Sequence, residues 1–126
     1  MLLRREFTFD AAHRLTQYHG KCENLHGHTY RMAVEIKGYP DDEGMIVDFV
    51  KVKEIVNAEI ISKFDHANLN DFFQQPSAEN IARYVFEVLA PLLEGPNHSL
   101  EAVQVWETAK SSVIFSRSDI DGRHER

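Results

Sequence analysis

His26-Gly27-His28-Thr29-Tyr30-Arg31-Met32-Ala33-Val34-Glu35-Ile36-Lys37 alternates between apolar and polar side chains from Tyr30 onward, the pattern of a half-buried β-strand. Side chains two apart on a strand share a face. His26 and His28 therefore fall in one row with Tyr30, Met32, Val34 and Ile36, at the end of the core-facing side. The chain's single thiol, Cys22, precedes the pair by four residues. Upstream, Arg5-Glu6-Phe7-Thr8-Phe9-Asp10-Ala11-Ala12-His13 alternates as well, with Phe7, Phe9, Ala11 and His13 on one side. A hairpin of the two strands brings His13 toward His26 and His28. Three neutral imidazoles with one open position form the ligand set of a catalytic zinc site, whereas a structural site closes with a fourth protein ligand. One cysteine cannot supply the usual thiolate closure. His19, His98 and His124 have no such company and read as surface histidines.

Further along, Gly38-Tyr39-Pro40-Asp41-Asp42-Glu43-Gly44 is a turn-rich connector. Asp48 suits a helix N-cap, and Phe49, Val52, Val56 and Ile60, widened by Ile55, predict an amphipathic helix to about Ser62. Residues 64–75 read as irregular. Ser77 caps a second predicted helix with Glu79 in its first turn and a stripe of Ile81, Val85, Val88, Leu89 and Leu92. Pro91 distorts its end, and Gly95-Pro96-Asn97 stops it. Strands follow from Leu100 to Thr108, with Val103, Val105 and Glu107 on one face, and from Val113 to Arg117.

This order predicts an α+β domain: a four-stranded antiparallel sheet with two helices on one face (ββααββ) over residues 1–117, then a polar tail over 118–126. The uncovered face carries Ala102, Gln104 and Trp106, which a partner subunit would cover.

At 126 residues, 43% hydrophobic and 27% charged, the chain has the composition of one ordinary globular domain. A formal charge of -6 argues against nucleic acid as partner, since phosphate backbones need a basic face. A single phosphorylated small molecule needs only a local cluster, for which Arg14, Lys21 and Lys110 are candidates. One cysteine, no visible signal peptide and no membrane-length apolar run together lead to the expectation of a cytoplasmic protein without a membrane partner.

The series Phe9-Asp10-Ala11-Ala12-His13, Cys22-x3-His26-Gly27-His28, Asp65-His66, Pro76-Ser77-x-Glu79 and Glu107-Thr108 resembles the successive motifs of the 6-pyruvoyltetrahydropterin synthase family. Three residues between Cys22 and His26 resemble its bacterial 6-carboxytetrahydropterin synthase branch, of queuosine (7-deazapurine) biosynthesis. The resemblance implies a lyase of the tunnelling fold, with sheets from three subunits joined as a barrel and two trimers stacked into a hexamer. It implies a zinc-dependent conversion of 7,8-dihydroneopterin triphosphate to 6-carboxy-5,6,7,8-tetrahydropterin, acetaldehyde and triphosphate. His13, His26 and His28 would hold the Zn2+, and Cys22 would be the base, with Asp65 and His66 completing the proton relay. Glu107 and Thr108 would bind the pterin. A 6-pyruvoyltetrahydropterin synthase, which stops after triphosphate elimination, and a non-catalytic metal-binding oligomer are the competing readings. Read without the family, Asp65-His66 is more often an Asx turn and Cys22 more often a small buried apolar residue, and a structural salt bridge suits Glu107 as well as ligand binding does. Ser112-Val113-Ile114-Phe115 departs from the tyrosine-containing last strand usual in the family.

Overall fold

The computed structural model describes residues 1–16 and 24–122. Strands β1 (Leu2–His13) and β2 (His26–Gly38) form the long hairpin that the alternation predicts. They pair antiparallel from Leu2↔Lys37 to His13↔His26. β2 pairs in turn with β4 (His98–Thr108), and β4 with β5 (Ser111–Ser116), both antiparallel. A fifth strand, β3 (Ala67–Asn68), lies parallel to β1 at Ala11 and Ala12 and was not expected. The sheet is therefore mixed and five-stranded, in the order β3-β1-β2-β4-β5, with the four expected strands antiparallel. Two residues carry no periodicity to read. β3 arises instead from the backbone bond that His66 N–H donates to the Asp10 carbonyl at 2.6 Å, which lays the following residues along β1.

One face of the sheet is covered by helices. α1 (Phe49–Val56) starts at Asp48, whose carboxylate accepts from Val50 N–H. It runs through a π turn (Asn57–Ile61) into α2 (Ser62–Phe64). Val52, Val56, Ile60 and Phe64 are fully buried at a strict spacing of four. On a helix of 3.6 residues per turn that spacing drifts by about 40° each step. The wider π turn takes back the drift and keeps all four on the core. α3 (Ala78–Leu89) is capped by Ser77, which accepts from Asn80 N–H, and buries Ile81, Ala82, Val85, Phe86 and Leu89. It ends with Ala90 as C-cap, still in helical geometry, because Pro91 has no N–H with which to continue the ladder. Leu92, placed on the predicted stripe, is exposed, and Leu93 is buried in its stead.

β4 carries an extra residue. Glu35 pairs with Ala102 and Ile36 with Leu100, so Glu101 is a bulge that lets Leu100 and the Val103/Val105 row both face the core. On the opposite face, Trp106 lies under the guanidinium of Arg31 at 3.9 Å from the ring centre and of Arg4 at 5.4 Å. Arg4 bonds Glu35 at 2.6 Å and Gln104 at 3.2 Å, and Arg31 pairs with Glu6 at 3.2 Å. Trp106 and Gln104 thus have neighbours within the chain, through cation–π stacking and hydrogen bonds, and stay half-buried. The segment from 118, read as a tail, begins as helix: α4 spans Arg117–Gly122. Arg117 anchors it by donating to the Leu100 carbonyl at 2.8 Å.

Candidate active site

His13 and His26 are paired across the end of the β1–β2 hairpin, with His28 two residues further along the same row. The three imidazoles meet edge to face, their ring centres 4.7 to 5.0 Å apart. One nitrogen from each lies within 4.8 Å of the others, close enough to share an ion. His13 is 1% exposed, and its Nδ1 sits 2.8 Å from the Pro76 carbonyl. A carbonyl only accepts, so the hydrogen belongs on Nδ1 and the Nε2 lone pair is left facing the cluster. The Tyr30 hydroxyl is a second neighbour of that Nδ1 at 3.1 Å. His26 is set the same way, with Nδ1 donating to the Asn24 carbonyl at 2.8 Å. Backbone carbonyls on the far nitrogen are the usual means of fixing a ligating imidazole.

Glu107 closes on the same point. It is the extra residue between the pairs Trp106↔Ser112 and Thr108↔Ser111, a second bulge that redirects its side chain. Its carboxylate lies 3.6 Å from His28 Nε2 and 3.9 Å from His13 Nε2. Imidazole lone pairs and a carboxylate are all acceptors, and they converge favourably only around a cation or a shared proton. The donor set of hard oxygen and borderline nitrogen fits zinc. Tyr30, fully buried beneath these groups, has its phenol pushed well above the ordinary range by burial, with Glu107 adding in the same direction. It stays protonated throughout the physiological range.

Asp65 and His66 form a separate group beside Asp10, again within 4.8 Å. Asp65 Oδ2 is 3.1 Å from His66 Nδ1, and Asp65 Oδ1 accepts from Asp10 N–H at 3.0 Å. That backbone bond holds the Asp65 carboxyl below its ordinary range; desolvation opposes it, and His66 assists it. Asp10 in turn accepts from the Thr29 hydroxyl at 2.5 Å. His66 has a left-handed backbone, φ +62°, and a side chain 80% exposed. An open cleft of about 490 Å³ runs from His66 and Asp10 to His28, lined also by Gly27 and Thr29. That volume lies within the range of small-molecule sites.

The sequence-predicted residues therefore fall into two neighbouring groups: His13, His26, His28 and Glu107, and Asp65 with His66. Thr108 is exposed at the end of β4, where its hydroxyl accepts from Lys110 N–H at 3.4 Å. Cys22 lies outside the described residues, as do Lys21, His19 and His124. Arg14 and Lys110 are exposed and do not line the cleft. His98 is half-buried, not a surface residue, with Nδ1 3.0 Å from Asn97 Oδ1. Tyr30, Pro76 and Asn24 escaped notice as neighbours of the imidazoles. For Tyr30 the parity it shares with His28 was a usable signal; backbone carbonyls leave none.

The profile of the 6-pyruvoyl tetrahydropterin synthase family matches residues 2–118. The chain belongs to this family. It is 35% identical to the 6-carboxy-5,6,7,8-tetrahydropterin synthase of Haemophilus influenzae, over 85% of this chain and 92% of that one. Its identity to the Synechocystis protein of the same name is also 35%, over 90% and 92%. The solved structure of Caenorhabditis elegans 6-pyruvoyl tetrahydropterin synthase superimposes with a TM-score of 0.80 at 31% identity, covering 92% of this chain and 94% of that one. Membership makes the chain an enzyme of the tetrahydropterin synthase group, with the α+β fold of those relatives.

Proposed function

We propose that the chain is a zinc-dependent 6-carboxytetrahydropterin synthase that converts 7,8-dihydroneopterin triphosphate to 6-carboxy-5,6,7,8-tetrahydropterin, acetaldehyde and triphosphate in queuosine biosynthesis. The observation that carries this is the convergence of His13, His26 and His28 with Glu107 at one sheet end, next to the Asp65–His66 cleft. The names of the Haemophilus and Synechocystis relatives support the carboxy branch.

In this reading His13, His26 and His28 would hold the metal, His13 and His26 through the nitrogens that point away from their carbonyl partners. The chemistry a bound zinc ion supplies there is Lewis acidity toward the substrate side chain. Cys22, at the mouth of the same hairpin in sequence, removes the side-chain proton as thiolate. Asp65 orients His66, whose exposed ring carries protons to and from the substrate in the cleft. Glu107 accepts from the ring N–H and exocyclic amine of the pterin, a planar donor pair that a carboxylate matches. Thr108 adds a neighbouring contact. A hexamer built as a dimer of trimers belongs to the same proposal; the edge strand β5 and the length of β1 that the short β3 leaves uncovered suit such assembly. Among the described residues no helix is long and apolar enough to cross a membrane, and a cytoplasmic location is part of the reading.

Two other readings have support of their own. The Caenorhabditis likeness suits a 6-pyruvoyl synthase that retains the three-carbon side chain. The approach of Glu107 to His28 and His13 suits a metal site closed by a fourth ligand. Product mass spectrometry after mixing zinc-loaded protein with 7,8-dihydroneopterin triphosphate separates all three. A 6-carboxytetrahydropterin mass that vanishes in Cys22→Ala is the expected result. A pyruvoyl product moves the chain to the sister activity, and no turnover favours the closed site.

A further inference from the structure

His13 owes its orientation to a carbonyl belonging to another part of the chain, and that carbonyl must itself be held. Pro76 is buried, lacks an N–H and has a fixed φ, so it contributes only its carbonyl, which accepts from His13 Nδ1 at 2.8 Å. The preceding peptide is clamped. The Gln75 carbonyl accepts from the Asn80 side-chain amide at 2.8 Å and from Ser77 N–H at 2.9 Å. From the other side, Gln75 Oε1 accepts from Thr16 N–H at 2.6 Å. The turn that aims the Pro76 carbonyl is thus suspended between the first turn of α3 and Thr16, just beyond β1.

We infer that Asn80 is a positioning residue for the metal-ligating edge of His13, acting through the Gln75–Pro76 turn. This rests on the reading of the imidazole triad as a zinc site. Asn80 contacts neither an imidazole nor the cleft; it donates to the Gln75 carbonyl and receives the Ser77 cap at its own N–H. The side-chain donor is what the turn needs. Aspartate has the same shape, offers no donor at neutral pH, and sets a carboxylate against a carbonyl. In the first turn of a helix, however, an acidic residue suits the helix dipole. Asn80→Asp therefore separates two roles that alanine would confuse: a merely structural Asn80 tolerates aspartate, and a positioning Asn80 does not. The added negative charge would by itself favour a nearby cation, so a loss of zinc affinity opposes the simple electrostatic expectation.

The test is equilibrium zinc binding by chelator competition on the full-length wild type, Asn80→Asp, Asn80→Ala and Val85→Ala, with thermal melting of the zinc-free proteins. Cobalt(II) spectra of the same set report the ligand geometry. Zinc affinity of Asn80→Asp is expected to fall by about 10- to 100-fold, the scale of lost outer-shell partners, while its melting temperature holds. Its cobalt bands should weaken and shift. Asn80→Ala should lose zinc affinity in parallel. Val85→Ala, which loosens the same helix from the core, should melt earlier yet bind zinc like the wild type. Wild-type affinity and spectrum in Asn80→Asp overturn the inference while leaving the zinc site standing. A loss in Val85→Ala equal to that in Asn80→Asp also overturns it, because general loosening then explains both. A wild type that binds no zinc removes the site reading, and this inference with it.

Discussion

The imidazole triad and the Asp65–His66 pair use the same residue type under opposite conditions. His13 is 1% exposed and wedged between the Pro76 carbonyl and the Tyr30 hydroxyl, at the end of a row continuous with the core. The side chain of His66 is 80% exposed and meets one carboxylate, while its backbone sits in the left-handed region, pinned to Asp10. In the first group the surroundings fix the ring; in the second the main chain is fixed and the ring stands in solvent. A ligand must hold still, because an ion tolerates little error in donor placement. A proton carrier must reach a substrate that comes and goes. The two constructions match those two demands.

The largest effect should come from the triad. Replacing His13, His26 or His28 by alanine should reduce bound zinc to background in elemental analysis and lower turnover by at least about 10²–10³-fold, the scale of removing one preorganised electrostatic stabiliser. Turnover that persists in the zinc-free variants would dissolve the contrast. His66→Ala should cut turnover by about 10²–10⁴-fold, the range for a general acid or base, with zinc content unchanged; zinc loss there would merge the two groups into one.

Glu107→Gln sits between them. As pterin anchor its loss should raise KM by about tenfold or more, a hydrogen bond to a charged group, with zinc retained. If zinc affinity drops instead, Glu107 is a fourth ligand and the site is closed.

Smaller effects probe the backbone of the dyad. A β-carbon at φ +62° costs about 1 kcal/mol, so His66→Gly should melt above His66→Ala although both lack the imidazole. Equal melting temperatures would show that the left-handed turn carries no strain. Smallest is the pH term of Asp65. Its carboxyl is lowered in the fold, so it adds stability above its unfolded value of about 3.9 and loses it as pH falls through the folded value. The melting difference between wild type and Asp65→Asn should therefore narrow on acidification. A difference that widens toward low pH would reverse the sign.

Those contrasts also mark what could be read before the fold was known. The triad was legible because strand parity is strict: His13, His26 and His28 sit in rows already occupied by Phe9, Ala11, Tyr30 and Met32, and a one-residue slip would carry a whole row to the other face. Asp48 and Ser77 announced their helices through cap chemistry. β3 was not legible, since two residues have no period and their pairing depends on one main-chain bond. Nor was the helical start of the tail, where Arg117 is tethered to Leu100 by contacts far apart in sequence. The stacking of Arg4 and Arg31 on Trp106 was not legible either, because the two arginines come from two other strands.

The bulge at Glu101 works as a phase setter for everything beyond it. Leu100 faces the core at an even position, and Val103 and Val105 face it at odd ones; the single inserted residue makes that change of parity possible. Absorbing Glu101 into regular pairing opposite Glu35, with Leu100 kept in place, would turn the distal half of β4 over. Trp106 would then be driven into the hydrophobic interior and Glu107 carried to the arginine-rich outer face, away from the imidazoles. One residue, half-buried and touching nothing in the site, thus fixes on which side of the sheet the carboxylate emerges.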